Sequence, residues 1–356
     1  TPPGQPGSTP GTVEVAENAI ELKEVEGLSQ GQIVRRRFFR HRGAIAGLVA
    51  LGLVALLAFS SIGFGPVPGW WKWDHVGQND IAILGGKPTM SLPTWLGGSG
   101  FAIGDFPFGQ DNIGRDIFAR TMKGVQTSLI VMVIIGILAT LVGIVVGAFA
   151  GFYRGKVDQS LMRMTDLIIT FPVIVVGAVL GKLAGAGGAV WLAIALGLIT
   201  WTGMARLVRG DFLSLREREF VDAARVAGAS NFRIIRKHML PNAMGVIIVN
   251  TTLLMSAAVL LETALSYLGF GVRPPDVSLG TMISEYQAAF ATRPWLFWWP
   301  GLFIIVIALS VNFIGDGLRD AFDPRQRRIP SQRAMEKAQA MAHRPGALRG
   351  GPGSGT

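Results

Sequence analysis

Cysteine is absent from the 356 residues of this sequence, which excludes disulfides, thiolate metal sites and a cysteine nucleophile. Charged residues are also scarce, at 16%, whereas soluble domains contain about 25%. No G-x-x-x-x-G-K-[ST] phosphate loop occurs, so we expect this chain not to bind ATP in the usual way. No His/Asp/Glu cluster has metal-ligand spacing and no nucleophile–base pair stands out. We therefore expect no metal, no cofactor and no catalytic residue in this chain.

Long apolar blocks are abundant, and 50% of the residues are hydrophobic. Each block exceeds about 18 residues, the length that crosses a bilayer as a helix. The pattern predicts an all-α polytopic membrane protein with six transmembrane helices, at about 44–64, 126–152, 160–182, 188–208, 242–268 and 296–318. In a soluble protein the net charge of +10 would indicate nucleic acid. Here the basic residues flank the apolar blocks, so we expect contact with membrane lipid and none with nucleic acid.

Basic residues mark one side of the predicted membrane protein. Six spans place both termini on the same side, and positively charged loops stay in the cytoplasm. The arginines at 35–42, the turn at 153–159, the long loop at 209–241 and the RQRR run after span six all fall on one side. We therefore expect both termini to be cytoplasmic and the segment 65–125 to lie outside.

Composition divides the chain into five regions. The ends are rich in Pro, Gly and other small or polar residues, and both are predicted to be disordered. The predicted regions are the cytoplasmic leader 1–34, the basic flank and first span 35–64, the extracytoplasmic segment 65–125, the transmembrane core 126–323 and the cytoplasmic tail 324–356. Within the outer segment, Trp70, Trp71 and Trp73 resemble an interfacial belt, and 108–129 predicts a short helix at the membrane surface.

The predicted cytoplasmic loop 209–241 is long enough to carry its own structure. Residues 216–227 favour a helix, with a small-residue face formed by Ala223, Ala224 and Ala227. Gly228 is predicted to cap this helix in left-handed geometry, and Ser230 is predicted to cap a second helix that stops before Pro241. The pattern predicts a helix–turn–helix whose small-residue elbow a partner can approach closely. An amphipathic helix pair on anionic lipid stays open as an alternative, whereas tethering at both ends disfavours DNA binding.

The segment DAARVAGASNFRIIRKHMLP at 222–241 resembles the EAA loop of the membrane subunits of bacterial ABC importers. Asp222 stands where this family more often has glutamate, and His238 stands where many members have isoleucine. The resemblance implies that the loop docks a separate ATPase subunit. The residues implied in this coupling are Asp222, Ala223, Ala224, Arg225, Ala227, Gly228, Ala229, Ser230, Leu240 and Pro241.

Three further motifs resemble the C-type subunit of the oligopeptide and dipeptide importers. GQDNIGRDIFAR at 109–120 is similar to a G-x-D-x-x-G-R-D segment of that subunit, and its marked positions are Asp111, Gly114, Arg115 and Asp116. ETALSYLGFGVRPPDVSLGTMI at 262–283 and NFIGDGLRDAFDPR at 312–325 resemble the ends of its fifth and sixth spans. The likeness covers about 35–330 and implies the type I ABC importer fold.

The resemblance also implies a multi-subunit assembly in the bacterial cell membrane. A homologous B-type permease would pair with this chain, two ATPase subunits would bind ATP and Mg, and an extracytoplasmic binding protein would deliver a di- or oligopeptide. Nickel, glutathione or another small solute stays open as the cargo, because importers of these solutes share the subunit type. An ion-driven secondary transporter is a different class, which often shows inverted repeats that this chain lacks. A membrane scaffold without transport also stays open.

Ionisable residues inside predicted spans are candidates for translocation or gating. Asp166 is expected either to gate or to pair with a basic neighbour such as Arg163. Glu262 is expected either to line the translocation path or to pack inside the protein. Asp316 is a further candidate, and it is also placed to pair with Arg319 on one helix face.

Proline and glycine give two further expectations for the spans. Pro172 removes a backbone hydrogen bond in span three and predicts a kink, which suits a moving helix. Glycines at four-residue spacing in span two predict a helix-packing surface; they are Gly143, Gly147 and Gly151.

Overall fold

Backbone groups in a bilayer must satisfy their hydrogen bonds within the chain, so apolar runs of this length form helices. The structure, a computed structural model, describes residues 30–322 apart from 92–93, 97, 99 and 185–187. Five of its helices are long and apolar enough to cross a membrane, and one bent helix pair brings the number to six. The predicted six-span helical protein is thereby confirmed. Most of the predicted leader and the whole tail 324–356 lie outside the described residues.

Two helices precede the outer segment. Helix α1 (Gln30–Arg40) packs against the last helix of the bundle, and its first residues fall in the range predicted to be disordered. Helix α2 (Arg42–Ser61) is the first span. Between them, His41 accepts a hydrogen bond from the Ala44 backbone N–H at 3.0 Å and lies 3.3 Å from the carboxylate of Asp320. The first span therefore begins beside the end of the last one.

The outer segment contains little regular structure. Strand β1 (Gly63–Phe64) pairs with β2 (Val67–Pro68) in a short antiparallel hairpin, and the chain then runs through turns and isolated bridges. The predicted surface helix at 108–129 is wrong. Residues 108–116 are turns and bridges, and the rest begin the second span, because a helix cap at residue 116 starts a helix that nothing interrupts.

The second and third spans differ in straightness. Helix α3 (Ile117–Tyr153) is a continuous span of 37 residues that starts well before the predicted position 126. Helix α4 (Gly155–Thr170) and helix α5 (Val173–Ala184) form the third span, with a bend of 80° between them. The predicted kink at Pro172 is confirmed and amounts to a complete break, because Phe171 before the proline adopts extended geometry with ψ 127°.

The fourth span continues past its predicted end at 208. It consists of α6 (Gly188–Thr200) and α7 (Thr202–Leu215), so part of the predicted loop is membrane helix. Arg209 in this extension donates to both carboxylate oxygens of Asp158 on α4, at 2.5 and 2.7 Å. This bidentate pair stabilises a charged residue within the helix bundle.

The remaining elements form the loop and the last two spans. They are α8 (Glu219–Val226), the short α9 (Asn231–Arg233), a π-helical turn (Ile234–Met239), α10 (Leu240–Tyr267), α11 (Leu279–Tyr286) and α12 (Trp295–Phe322). Helices α10 and α12 are the fifth and sixth spans.

The glycine stripe of α3 packs against α7, as the sequence predicts. A Cβ atom at Gly147 would lie 2.4 Å from the carbonyl oxygen of Ala205, and one at Gly151 would lie 2.6 Å from the Cβ of Phe212. Such separations are far inside van der Waals contact, so only glycine lets the two backbones approach this closely. The contact holds the second and fourth spans together.

Candidate functional site

The turn after α8 has the geometry that the sequence predicts. Gly228 has φ 76°, and its N–H donates to the carbonyl of Arg225 at 2.9 Å, while the N–H of Ala229 donates to the carbonyl of Ala224 at 3.0 Å. This pair of bonds is the Schellman arrangement, which ends a helix at a left-handed residue. Apart from its two chain neighbours, no atom of the described residues lies within 4 Å of a Cβ built on Gly228, so its backbone is open to an approaching partner.

The helix that follows the turn differs from the prediction at Pro241. Ser230 caps the new helix as expected, since its Oγ accepts the N–H of Arg233 at 3.4 Å. The helix does not stop before Pro241 but continues through the π-helical turn into α10. Within that turn the N–H of Leu240 donates to the carbonyl of Ile235, five residues back. The wider turn accommodates the position where proline supplies no N–H.

One face of the elbow is buried against the spans. Val221 and Ala224 pack into a cluster with Ile234, Ile235 and Met239 of the π-helical turn. The same cluster includes side chains of three spans: Phe152 of α3, Phe212 of α7 and Ile247 of α10. The expectation that a partner approaches Ala224 is therefore wrong, because this residue faces inward at 9% exposure.

The opposite face of the elbow is exposed and partly apolar. Ala223, Ala227 and Gly228 are open to solvent there, and Asp222 forms an ion pair with Arg225 at 2.9 Å. Sequence reasoning missed two large exposed apolar side chains close to Gly228 in the sequence: Val226, 91% exposed, and Phe232, 63% exposed. The signal was present, because Val226 is off the helix face that carries Val221 and Ala224. An apolar patch around a bare backbone favours a protein partner.

Two arginines connect the residues just before the elbow to the end of α3. Arg216 donates to the carbonyl of Phe152 at 2.8 Å, and Arg154 pairs with Glu217 at 2.7 Å. Together with the buried cluster, these contacts fix the elbow to the membrane helices at its side and its back.

The outer motif residues form a network at the other end of α3. Asp111 accepts the N–H groups of Ile113 at 3.1 Å and Arg115 at 2.9 Å, the Arg115 Nε at 2.5 Å and the Tyr286 hydroxyl at 3.1 Å. Gly114 has φ 81°, and a Cβ there would lie 1.8 Å from the carbonyl oxygen of Asn79. The motif glycine is thus required by both conformation and space.

The network extends to α11 through Glu285. Arg115 and Arg120 both donate to the Glu285 carboxylate, Arg120 at 2.6 Å. Burial is the main reason that the pKa of Tyr286, beside this cluster, is raised. The motif therefore joins the start of the second span to the helix that precedes the sixth.

Asp116 caps α3 and is fully buried. Its carboxylate accepts the N–H groups of Phe118 at 3.1 Å and Ala119 at 3.2 Å, and the indole N–H of Trp71 at 2.6 Å. Burial raises the pKa of Asp116 to about 6, although all three hydrogen bonds lower it. The residue anchors the Trp-rich segment to the second span.

The intramembrane candidates have mostly structural surroundings. Glu262 is completely buried and accepts hydrogen bonds from the hydroxyls of Ser128 at 3.1 Å and Ser266 at 2.7 Å, which supports the packing alternative. Asp166 pairs with Arg206 of α7 at 2.5 Å, so the expected pair with Arg163 is wrong. Its carboxylate faces the neighbouring span instead of its own helix.

Asp316 and Pro172 are the remaining intramembrane candidates. No ion pair or hydrogen bond joins Asp316 to Arg319 in the part of the chain that the structure describes, so that expected pair is also wrong. Pro172 lies at the break between α4 and α5. Across the residues with described positions, no group of three or more His, Asp or Glu side chains is placed to hold a metal ion.

Comparison with known proteins agrees with these features. Residues 143–328 match the family model described as the binding-protein-dependent transport system inner membrane component. Residues 29–83 match the N-terminal TM domain of oligopeptide transport permease C.

Curated relatives match over most of the chain. The oligopeptide transport system permease protein OppC of Mycobacterium tuberculosis is 36% identical over 305 residues, which covers 85% of this chain and 98% of the relative. The protein of the same description from Escherichia coli K12 is 37% identical over 314 residues, covering 88% and 97%. Among solved structures, a chain of the inward-facing MetNI methionine ABC transporter aligns with a TM-score of 0.48 and 19% identity, over 57% of this chain and 97% of that one. With a family match across more than half of its residues, the chain belongs to the family of binding-protein-dependent transport system inner membrane components.

Proposed function

We propose that this chain is a permease subunit of an ATP-driven importer of peptides and that its elbow, Glu219–Ser230, docks an ATPase subunit. The substrate class follows from the relatives, which are described as oligopeptide permeases. In this proposal two ATPase subunits bind ATP and Mg, a homologous B-type permease completes the path, and an outer binding protein delivers the peptide. The elbow side and both termini face the cytoplasm, consistent with the basic residues on that side.

The two faces of the elbow carry the proposal. Its exposed face has an uncovered backbone at Gly228, and Val226 and Phe232 close to it in the sequence are exposed, which suits close contact with a protein. Its inner face is buried in a cluster that includes side chains of α3, α7 and α10. Packed interiors transmit displacement because they contain few voids. A movement of a docked ATPase would therefore reach three spans through one rigid contact.

The same geometry assigns roles to the other predicted coupling residues. Ala223 and Ala227 have small exposed side chains, so a partner can come close to the backbone there. Ala224 and Leu240 pack on the buried face. Arg225 and Asp222 pair with each other at the surface. Ser230 sets the angle of the elbow by capping the next helix, so the docking face depends on local hydrogen bonds as well as on side-chain size.

The test is Gly228→Glu, assayed by uptake of radiolabelled di- and oligopeptides in a strain that lacks the native subunit. A side chain at this position fills the space left for the partner, and a left-handed residue other than glycine costs about 1–2 kcal/mol. We expect uptake to fall to the level of the deletion strain while the amount of the chain in the membrane stays normal. ATP hydrolysis by the partner subunits should lose its dependence on peptide.

Gly155→Glu is the matched control. Gly155 also has a left-handed φ, of 55°, and open space around its Cβ, and it is the first residue of α4, on the same predicted side. The control adds the same charge and a similar backbone cost outside Glu219–Ser230, so we expect near-normal uptake. Normal uptake in Gly228→Glu, or equal losses in both variants, would remove the coupling assignment. Uptake that collapses with the ion gradient and persists without the ATPase would indicate a secondary transporter.

A further inference from the structure

A cavity of about 510 Å³ lies among the β1–β2 hairpin, the segment 71–75 and the start of α3. Its volume is within the range of about 300–1,000 Å³ that is usual for small-molecule sites. Gln126 holds its walls together, because its amide donates to the carbonyls of Ala58 at 2.9 Å and Gly63 at 2.7 Å. None of the residues that line this cavity belongs to the buried elbow cluster.

The cavity combines basic and aromatic side chains. Lys72 is held by Asp105 at 2.5 Å and lies 4.9 Å from the centre of the Trp73 ring. Lys123 on α3 is half-buried, and no carboxylate pairs with it within the described ranges. A half-buried ammonium group that lacks a counter-charge favours an anionic ligand, since charge-assisted hydrogen bonds are among the stronger ones.

His75 lines the same cavity, next to Asp74. Burial lowers the pKa of His75, Asp74 opposes that effect, and Lys123 adds to it. The only acidic group lining the cavity, in the part of the chain described, is Asp74, which already contacts His75 at 2.7 Å. Of the two lysines, Lys72 is already paired with Asp105, so Lys123 is the cation without a paired carboxylate among the described residues that line the cavity.

An exposed apolar surface leads to the edge of the cavity. Val49, Leu53 and Leu56 recur at helical spacing on one face of α2, and all three are more than half exposed. The next position on that face is Ser60, whose hydroxyl accepts the indole N–H of Trp70 at 3.2 Å. Trp70 is itself 61% exposed. Tryptophan at the end of a span is typical of the depth of lipid headgroups.

We propose that this cavity binds the phosphate-bearing headgroup of an anionic phospholipid, with Lys123 and Lys72 at the phosphate and the acyl chains along the exposed face of α2. Charge selects the headgroup, and the apolar stripe that ends at Trp70 favours a lipid over a free phosphate. This lipid site is separate from peptide import, and it does not depend on which solute the protein carries. Its occupant would brace the hairpin against the first two spans.

The test measures lipid binding to the full-length chain in detergent by native mass spectrometry. Phosphatidylglycerol is titrated against phosphatidylcholine with the same acyl chains, so that only the headgroup charge differs. We expect phosphatidylglycerol to bind more tightly. Lys123→Gln should weaken its binding roughly fivefold, the usual contribution of one lysine at an anionic lipid surface, and should leave phosphatidylcholine unchanged.

Two variants control for charge and for folding. Lys123→Arg keeps the positive charge and should keep the lipid preference. Lys182→Gln removes an exposed lysine at the end of α5 and should change nothing. Equal phosphatidylglycerol affinity in the native chain and Lys123→Gln would overturn the proposal, as would equal losses in Lys123→Gln and Lys123→Arg. Displacement of the lipid by inorganic phosphate or glycerol phosphate would assign the cavity to a free phosphate instead.

Discussion

Gly147→Ala is predicted to push α3 away from α7. The added methyl group would lie 2.4 Å from the carbonyl oxygen of Ala205, and a backbone oxygen in a helix cannot rotate away. Overpacking a close contact costs about 1–3 kcal/mol, while alanine in a helix regains about 1 kcal/mol over glycine. The neighbouring contacts at Gly143 and Gly151 open at the same time, so we expect a net loss of about 1–2 kcal/mol.

The measurement is the thermal midpoint of the purified full-length chain in one detergent. Gly210→Ala is the control, because Gly210 lies within α7 and, beyond the backbone of its own helix, no atom of the described residues is within 4 Å of its built Cβ. There the gain in helix propensity should act alone, and the midpoint should stay level or rise. A midpoint for Gly147→Ala equal to that of Gly210→Ala would refute the close packing of α3 on α7. A lowered midpoint in both would show that any alanine disturbs these helices.

Two further predictions concern buried carboxyl groups. Burial raises the pKa of Asp116 to about 6, against about 4 in an unfolded chain, so its contribution to stability is present below pH of about 4 and is lost as the pH rises through 6. Asp116→Asn, which keeps a helix-capping side chain, should remove that part of the fall in thermal midpoint between pH 4 and 7, and an unchanged profile would contradict it. Glu262→Gln keeps an acceptor for Ser128 or Ser266 and should change the midpoint little, whereas Glu262→Leu strands both hydroxyls and should cost about 1–3 kcal/mol. Equal midpoints for the two Glu262 variants would count against this role.

Local signals predicted the elbow well, because its turn depends on neighbouring residues. Gly228 and Ser230 act through backbone conformation and short-range hydrogen bonds, which a sequence displays directly. The stop at Pro241 was wrong because a single local rule was applied to a residue whose missing N–H is accommodated by the π-helical turn before it. The inward direction of Ala224 depends on side chains of three spans, and no spacing within the loop reveals it.

Ion pairs between spans were harder to predict than the spans themselves. Hydropathy located the membrane helices because an apolar segment in a bilayer must satisfy its backbone hydrogen bonds within itself. Asp166 was expected either to gate or to pair with a basic neighbour such as Arg163, yet it contacts Arg206 on α7. Asp111 and Arg115 were identified only by resemblance, although the structure shows why the motif is compact: their contacts run to Tyr286 and Glu285, more than 160 residues away in sequence.

The two halves of the candidate machinery meet in α3. At its C-terminal end, Phe152 packs on the elbow cluster and its carbonyl accepts a hydrogen bond from Arg216. At its N-terminal end, Asp116 caps the helix and Arg120 pairs with Glu285 of α11. No proline interrupts the 37 residues between, whereas the third span breaks at Pro172. In the proposed coupling, a displaced elbow would move α3 as one body and strain the contact between Arg120 and Glu285. The Arg120–Glu285 pair lies at the end of α3 that is farthest from the elbow. For that reason, loss of this pair should alter transport.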